Sequence, residues 1–320
     1  MSSPTPEVSL VIPCYNESAG LATLFETLLP IIRATACRFE IVVINDGSDD
    51  DTLARLLALQ GTIPQLRVID LSRNFGKEAA VAAGLAHCRG KCAILLDADL
   101  QDPPELIPQM LARWREGYES VVAVHASRGS DSLPRRVLTA GFYRILNAVS
   151  NTRTPANAGD FRLLDRAVID AFLALPERAR FNKGLFAWIG FRQCLIEHER
   201  PLRSAGTSKF TYRRLFGLAI EGITSFSSTP LRVWAYIGAF VSLLAFLDGA
   251  FIILRTLIRG NPVPGYASIF VAVMFFGGIN LLSIGVLGEY VGRIFVESKQ
   301  RPLYVVRRAH ESAEIPKNQP

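Results

Sequence analysis

The stretch KCAILLDADLQDPPEL, residues 91–106, decides how this chain folds. A predicted strand over 91–99 leads into a predicted helix over 103–117, and Asp97 and Asp99 lie at the end of the strand. Residues two apart in a strand project to the same side, so the two carboxylates should lie together. Two like charges so close would raise the pKa of one carboxyl unless a cation lies between them. The pattern therefore predicts a hard divalent cation, Mg²⁺ or Mn²⁺, at this strand end.

The chain before and after this stretch alternates strands with helices. The predicted strands are 8–13, 39–46, 66–72, 91–99 and 120–124. The predicted helices are 17–35, 51–60, 77–88 and 103–117. This alternation indicates βαβ units and an α/β fold with a parallel sheet, and the continuous apolar strands indicate that both faces of the sheet are covered. In such sheets, ligands bind beyond the carboxyl ends of the strands.

Polar residues follow each predicted strand, so they should gather along one edge of the sheet. These residues are Asn16, Glu17, Asp46, Asp49, Lys77, Asp97, Asp99 and Gln101. A helix N-cap is the structural alternative for residues of this kind. It suits Ser18, and it suits Asp102, which directly precedes Pro103. It does not suit Asp97 and Asp99, which lie before the expected cap.

The chain lacks a glycine-rich phosphate loop of the GxxxxGK[ST] or GxGxxG type. A nucleotide diphosphate would therefore have to be held by other means, and a metal ion on Asp99 is the simplest of them. A metal-bound diphosphate is also a good leaving group when the bond that breaks is to a sugar. The predicted substrate is a sugar nucleotide.

The composition divides the 320 residues into a soluble part and a membrane part. Residues 1–209 have the pattern of a soluble domain, whereas 231–296 is strongly apolar and raises the mean hydropathy of the chain to +0.24. Five cysteines without a CxxC pair indicate reduced thiols. The first residues lack the regions of a signal peptide. The net charge of +6 comes without a nucleic-acid-binding motif, so a membrane surface and phosphate-bearing substrates are the expected partners, and nucleic acid is not.

The apolar part predicts two transmembrane helices, at about 233–257 and 266–292, joined by a short link with turn residues. Basic residues flank both outer ends of this hairpin. They place the catalytic domain and the tail, 297–320, in the cytoplasm of a multi-pass inner-membrane protein. The segment 210–230 is amphipathic and predicts an interfacial helix. Glycines in the second span suit close helix packing, so a homo-oligomer is expected.

Several motifs resemble glycosyltransferase family 2, whose members are inverting enzymes with the Rossmann-like GT-A fold. Those motifs are SLVIPCYNES (9–18), VVINDGSDDDT (42–52), SRNFGKEAAVAAGL (72–85) and LLDADLQDPPE (95–105). Two later stretches, RFNKGLFAWIGF (180–191) and RSAGTSKFTYRRL (203–215), are similar to the polyprenyl-phosphate branch of that family. The branch includes bactoprenol glucosyltransferases and dolichyl-phosphate mannose synthases, and the resemblance covers roughly residues 8–308.

The resemblance implies a role for individual residues. Those implied to bind the sugar nucleotide are Pro13, Tyr15, Glu17, Asp46, Lys77 and Asp97. Asp99 and Gln101 would hold the metal ion. The implied catalytic residues are Asp160, Asp99 and Arg203. Those implied to bind the acceptor phosphate are Arg128, Arg135, Arg136, Arg203, Ser208 and Lys209.

The role of Asp160 stays open between a general base and a residue that orients the substrate, and a purely structural pairing with Arg162 is the third alternative. A lipid monophosphate is already largely a dianion at neutral pH, so it needs little help from a base. It needs positioning and charge neutralisation, which arginine and lysine supply. His125 and His198 are weaker candidates for a base, and His198 is predicted to lie on a surface strand.

The sequence thus predicts transfer of a hexose, glucose from UDP-glucose, with inversion onto undecaprenyl or another polyprenyl phosphate at the cytoplasmic membrane face. GDP-mannose, UDP-N-acetylhexosamine and UDP-aminoarabinose are the alternative donors. A component of a lipid-linked-sugar translocase is the alternative outside the enzymes. Two spans are few for a translocation path, and the intact Asp-x-Asp motif favours the enzyme.

Overall fold

The structure is a computed structural model, and it describes residues 5–125, 158–178, 180, 182–198 and 265–311, with isolated helical positions between 236 and 258. The chain divides into two compact units. The first comprises Met1–Leu215 and Arg301–Pro320, and the second comprises Phe216–Gln300. The second unit is therefore inserted, in sequence, into the first.

The first unit contains an eight-stranded sheet with helices between its strands. The strands are β1 (Val8–Cys14), β2 (Phe39–Asn45), β3 (Leu66–Leu71), β4 (Cys92–Leu95), β5 (Ser120–His125), β6 (Ala158–Asp165), β7 (Gln193–His198) and β8 (Val306–His310). The helices are α1 (Leu21–Ala34), α2 (Thr52–Gln60), α3 (Lys77–His87), α4 (Ile107–Arg115), α5 (Arg166–Ala174) and α6 (Asn182–Trp188). A short 3₁₀ turn, Pro104–Leu106, precedes α4.

The strand order is β7-β5-β6-β4-β1-β2-β3-β8. The central strands β4, β1, β2 and β3 are parallel to one another, and β5 and β7 are parallel to each other. Strand β6 is antiparallel to both β4 and β5, and β8 is antiparallel to β3. The mostly parallel sheet predicted from the sequence is confirmed, with the carboxyl ends of its parallel strands at one edge.

Helices cover both faces of the sheet, as the continuous apolar strands predict. On one face, Leu24, Leu28, Leu56 and Met110 from α1, α2 and α4 pack in one buried cluster with alternate residues of β1 and β2. On the other face α3 lies directly on the sheet. A Cβ at Gly84 of α3 would come within 2.3 Å of Val11 Cγ1, so a glycine is required where this helix meets the sheet.

Several local predictions differ from the structure. Strand β4 ends at Leu95, so the Asp-x-Asp motif lies in the turn after the strand rather than within it. Helix α1 has Gly20 at its N-cap, and the turn before α4 has Pro103 there, without a side-chain cap in either case. The cap roles expected for Ser18 and Asp102 were therefore wrong. Asp102 is instead buried beside another strand, as described below.

The last strand, β8, was not anticipated, because the sequence analysis assigned 297–320 to a tail. Its residues pair with β3 at the edge of the sheet, and Ser72 N donates to Val305 O over 2.9 Å just beyond the pairing. Arg67 and Glu311 join the two strands further through two hydrogen bonds of 2.9 Å. The chain thus returns to the first unit after the apolar segment.

The second unit contains a long helix, α7 (Tyr266–Ser298). Within the described part of the chain, it is the one helix that is long and apolar enough to span a bilayer, over Phe275–Ser298. It coincides with the second predicted span, 266–292. Most of the first predicted span, 233–257, and all of the predicted interfacial helix, 210–230, lie outside the described residues.

Candidate active site

The loops after β1 and β2 are joined by hydrogen bonds. Asn16 N donates to Ser48 Oγ over 3.0 Å, and Asp49 N donates to Asn16 Oδ1 over 2.9 Å. Glu17 N donates to Thr52 Oγ1, also over 3.0 Å. These bonds bring the two loops together at the carboxyl edge of the sheet.

Two predicted nucleotide-binding residues of β1 and its loop lie at this edge. Pro13 is the penultimate residue of β1, and Tyr15 directly follows the strand. Tyr15 is 42% exposed, and its hydroxyl donates to Asp49 Oδ2 over 3.3 Å. An aromatic ring exposed at a strand end has a face that a planar base can stack on.

Asp46 follows β2 and is 3% exposed. Its two carboxylate oxygens accept hydrogen bonds from Phe75 N over 2.7 Å and from Gly76 N over 2.9 Å. Burial raises the pKa of Asp46, although these two N–H donors and Arg73 oppose the shift. Each oxygen keeps a second lone pair. The carboxylate can therefore still accept a hydrogen bond from the base of a nucleotide while it holds the loop that precedes α3.

Gly47 allows this loop to approach the end of β2 closely. Its φ of +62° lies in the left-handed region, and a Cβ there would come within 2.3 Å of Arg73 C. A side chain at this position would therefore force the loop away from Asp46. Since Lys77 follows the same loop, Gly47 contributes to where that lysine lies.

A chain of alternating charges forms the centre of the edge. Lys77 Nζ lies 2.7 Å from Asp97 Oδ2 and 2.5 Å from Asp160 Oδ2. Lys183 Nζ lies 3.3 Å from the other oxygen of the same carboxylate, Asp160 Oδ1. The four side chains come from α3, the turn after β4, β6 and α6. The side chains are between 26% and 45% exposed, so a ligand can reach each of them.

These charges set the protonation states of the site. Burial acts to raise the pKa of Asp160, but the ammonium groups of Lys183 and Lys77 outweigh it, and the pKa lies well below the usual carboxyl range. Burial also raises the pKa of Asp97, with Lys77 opposing the shift and Asp160 adding to it. Asp160 is thus a firmly ionised carboxylate, and such a group is a weak proton acceptor.

Hydrogen bonds between the helices that carry the two lysines hold these side chains in place. Asn182 N donates to Glu78 Oε2 over 2.9 Å, and Asn182 Nδ2 donates to Glu78 O over 3.1 Å. Glu78 directly follows Lys77 on α3, and Asn182 directly precedes Lys183 on α6. The contact between the two helices therefore places one lysine on each oxygen of Asp160.

A pocket opens beside this cluster. Its lining comprises Lys77, Glu78, Val81, Leu95, Asp160, Arg162, Asn182, Lys183 and Phe186. Arg162 is 3% exposed, and its guanidinium lies 4.8 Å from the centre of the Phe186 ring. The lining thus combines apolar side chains with three cationic ones, Lys77, Arg162 and Lys183, which suits a polar group that carries negative charge.

Asp99 and Gln101 lie together in the turn after β4, where Gln101 Nε2 donates to Asp99 Oδ2 over 2.6 Å. Among the described residues, no group of three or more His, Cys, Asp or Glu side chains is arranged to bind a metal ion. Mg²⁺ in nucleotide sites takes one or two carboxylates and obtains its other ligands from phosphate and water. An exposed carboxylate beside an amide fits that donor set, so Asp99 and Gln101 can hold such an ion when a diphosphate is present.

Asp102 and His198 meet behind the turn, with 3.9 Å between Asp102 Oδ1 and His198 Nε2. Both residues are 8% exposed, so the expectation that His198 lies on the surface was wrong, although its place on a strand was right. Burial and the charge of Asp97 raise the pKa of Asp102 to about 6. The pair joins the Asp-x-Asp turn to the end of β7.

The structure thus gathers Pro13, Tyr15, Glu17, Asp46, Lys77, Asp97, Asp99, Gln101 and Asp160 at one edge of the sheet. The residues expected to bind the acceptor phosphate lie outside the described residues: Arg128, Arg135, Arg136, Arg203, Ser208 and Lys209. Sequence reasoning assigned no role to Glu78, Asn182 or Lys183. Glu78 and Asn182 are 104 residues apart, so no local spacing could have paired them.

The sheet topology and the charged edge define a GT-A enzyme, a class of glycosyltransferase. Residues 9–173 match the family described as glycosyl transferase family 2, and residues 229–294 match the GtrB C-terminal hairpin. This chain belongs to glycosyltransferase family 2. The predicted fold class of the catalytic domain and the predicted enzyme class are therefore confirmed.

Relatives match over nearly the whole chain. Bactoprenol glucosyl transferase of Shigella phage SfII is 44% identical over 304 residues, which covers 95% of this chain and 98% of the relative. The prophage bactoprenol glucosyl transferase homolog of Escherichia coli K12 is 43% identical over 302 residues, covering 94% and 99%. Among solved structures, glucosyl-3-phosphoglycerate synthase of Mycobacterium tuberculosis is more distant, with 20% identity, a TM-score of 0.47, and coverage of 69% and 79%.

Proposed function

We propose that this glycosyltransferase transfers a hexose with inversion onto a polyprenyl phosphate, with UDP-glucose as donor and undecaprenyl phosphate as acceptor. The observation that carries the proposal is the identity of 44% to bactoprenol glucosyl transferases over 95% of the chain. The charged cluster of Lys77, Asp97, Asp160 and Lys183 supports it, because it offers cations and an ionised carboxylate side by side.

The chemistry follows from the ionisation of the acceptor. A phosphate monoester is largely a dianion at neutral pH, so its oxygen attacks without losing a proton. That oxygen forms a bond to the anomeric carbon as the bond from this carbon to the diphosphate breaks, and the electron pair leaves with the diphosphate. The protein's task is therefore to position two anionic groups and to neutralise their charge.

Asp160 orients the substrate in this proposal. Its lowered pKa makes it a poor base, and the acceptor does not need one. Its carboxylate, with Lys77 on one oxygen and Lys183 on the other, can accept hydrogen bonds from sugar hydroxyl groups. Asp97 would contact the sugar or ribose from the other side of Lys77.

Mg²⁺ or Mn²⁺ is the proposed cofactor, with Asp99 and Gln101 as the residues that hold it. When bound, the ion neutralises charge on the leaving diphosphate. Asp46 and Tyr15 would receive the base of the nucleotide at the ends of β2 and β1. The arginines and the Arg203 loop expected at the acceptor phosphate keep that assignment as part of the proposal.

The proposed location is the inner membrane, with the catalytic domain on the cytoplasmic side and more than one crossing. Helix α7 has the length and apolar character of a span, and residues 229–294 match a family described as a hairpin. Basic residues flank this region in the sequence. A homo-oligomer formed through the glycines of α7 belongs to the same proposal.

Release of UDP by the purified full chain in detergent tests the function. We expect release from UDP-glucose that depends on undecaprenyl phosphate and stops when a chelator removes divalent ions, with recovery on addition of Mg²⁺ or Mn²⁺. A panel of GDP-mannose, UDP-N-acetylglucosamine and UDP-aminoarabinose should give slower turnover.

Asp99→Asn should lower turnover by at least about 100-fold, since several kcal/mol of charge stabilisation depend on the ion. Full activity in chelator would contradict the cofactor, and equal turnover without lipid phosphate would contradict the acceptor.

A further inference from the structure

Lys183 is a cation that the comparisons leave without a role. It lies on α6, with its Nζ 3.3 Å from Asp160 Oδ1, and it lines the pocket beside the cluster. Its side chain is 26% exposed, so the ammonium group is reachable from the pocket. Its position is held by the hydrogen bonds between Asn182 and Glu78, which anchor the start of α6 to α3.

The order of charges separates Lys183 from the donor side of the site. Asp97 is two residues from Asp99 in the metal-binding turn, and Lys77 bridges Asp97 to Asp160. Lys183 contacts the oxygen of Asp160 that Lys77 does not contact. The contacts therefore run in order from Asp97, in the turn after β4, to Lys77, then to Asp160 and finally to Lys183.

Inversion requires that the nucleophile attack the anomeric carbon from the face opposite the leaving diphosphate. Two anionic groups, the diphosphate and the acceptor phosphate, therefore approach the hexose from opposite sides. A site for this reaction needs a cation on each side, because each anion loses part of its hydration when the pocket closes on it. The order of contacts assigns Lys77 to the side of the diphosphate and leaves Lys183 for the acceptor.

We propose that Lys183 binds the phosphate monoester of the lipid acceptor, through the pocket between α3 and α6. This inference rests on the proposed function and adds a residue to the acceptor site that is separate from the arginine-rich stretches. The attacking oxygen forms its bond to the anomeric carbon while Lys183 neutralises the remaining phosphate oxygens. The diphosphate leaves on the side of Lys77 and takes the electron pair, and no proton is transferred.

The test compares Lys183→Met with wild type, using farnesyl phosphate as a soluble probe of the acceptor site. We expect calorimetry in the presence of UDP and Mg²⁺ to give a loss of at least tenfold in affinity for farnesyl phosphate. UDP affinity should change less than twofold. The KM for undecaprenyl phosphate should rise by at least tenfold. Lys183→Arg should recover part of the loss, because it restores the charge.

Two controls make the result specific. Lys91→Met removes an exposed lysine that precedes β4, at the opposite edge of the sheet, and should leave every measurement unchanged. Farnesol, which lacks the phosphate, should bind wild type and Lys183→Met equally. If Lys183→Met melts below the assay temperature, the same comparison is made with Lys183→Gln.

Three results would overturn the proposal. A tenfold loss of UDP affinity would move Lys183 to the donor side. Kinetics equal to those of Lys91→Met would remove it from the site. An equal loss of farnesol and farnesyl phosphate binding would mean that the residue shapes the pocket without recognising phosphate. A wild-type enzyme that binds farnesyl phosphate through Lys183 but transfers no sugar to it or to undecaprenyl phosphate would contradict the proposed function alone.

Discussion

Asp160 illustrates how two neighbouring ammonium groups change what a carboxylate can do. Lys77 and Lys183 contact its two oxygens and lower its pKa. A group whose folded pKa lies below its unfolded value stabilises the fold at every pH above the unfolded value. That stabilisation is lost only as the pH falls through the lowered pKa, in strong acid. The ionised form therefore persists throughout the range in which enzymes are assayed.

The pH dependence of turnover follows from this ionisation. Asp160→Asn should lower kcat by about 10- to 100-fold, the value of a charge-assisted hydrogen bond. The profile of log kcat/KM between pH 5 and 9 should shift down without changing shape, because the groups that titrate near pH 6 are the phosphate acceptor and Asp102, and not Asp160. Asp170→Asn, an exposed carboxylate paired with Arg166 at 3.8 Å, is the matched control. Loss of the acid limb in Asp160→Asn alone would make Asp160 the base.

At the level of single residues, local pattern predicted the site only where the chemistry is contiguous in sequence. Asp97 and Asp99 were predicted as site residues because they share one motif at the end of a predicted strand. Lys183 was not predicted, because its place beside Asp160 depends on a contact between Glu78 and Asn182, which are 104 residues apart. The cap role of Asp102 was wrong because burial next to His198 takes the carboxyl away from the helix start.

At the scale of elements, β8 is held to the sheet by charge as well as by strand pairing. Glu311 directly follows β8 and makes two hydrogen bonds with Arg67 of β3. Arg67 also contacts Glu40 of β2 over 2.8 Å and is itself buried. Arg307 of β8 donates to Ser72 O over 2.8 Å, at the start of the loop that leads to Lys77. The strand after the apolar segment thus supports the loop before α3.

The contact of Glu311 with Arg67 is here called the clamp. Removing it should lower the free energy of unfolding more than removing a similar ion pair at the surface does. Glu311→Ala leaves the 7% exposed side chain of Arg67 short of two hydrogen bonds, and we expect a loss of about 1–2 kcal/mol in unfolding free energy. Glu116→Ala is closely matched, since both glutamates are 51% exposed and lie 2.9 Å from an arginine. Its partner, Arg113, is 44% exposed, so that loss should be about 0–0.5 kcal/mol. Thermal melting of the two variants measures the difference, and equal losses would contradict the clamp.

The elements that were predicted correctly are those whose sequence pattern is complete in itself. Strands β1, β2 and β3 and the helices between them have apolar runs and regular spacing. Strand β8 reads VRRAH, with three polar residues of five, and it becomes a strand only because the edge of β3 offers unpaired backbone groups. Strand β6 likewise owes its antiparallel place between β4 and β5 to pairing that no local pattern encodes.

At the scale of the whole molecule, the proposed topology can be tested by labelling. A membrane-impermeant thiol reagent on intact cells should label a cysteine introduced at Asn261, in the predicted link between spans. It should not label one at Gln300, which lies two residues after the end of α7 and directly precedes the return to the catalytic unit at Arg301. Permeabilised cells should label both positions, which controls for reactivity. Labelling at Gln300 from outside would contradict the cytoplasmic location of the catalytic unit.

The same division of the chain constrains the number of crossings. Residues before Leu215 and after Arg301 belong to one folded unit, and a folded unit lies on one side of a membrane. In the proposed topology, the inserted segment therefore crosses an even number of times. That topology requires the first predicted span, 233–257, in addition to α7.

Strand β8 also governs when the catalytic sheet can be completed during synthesis. Arg307 lies 235 residues after Ser72, the residue it contacts, and the whole apolar segment is made between them. Chains grow from the amino end, so β3 must remain an open edge until β8 leaves the ribosome. An open edge is a template for pairing with other chains. In the proposed topology, insertion into the bilayer therefore precedes closure of the sheet, and a chain that stops short of β8 would reach the membrane with the aggregation-prone edge of β3 still exposed.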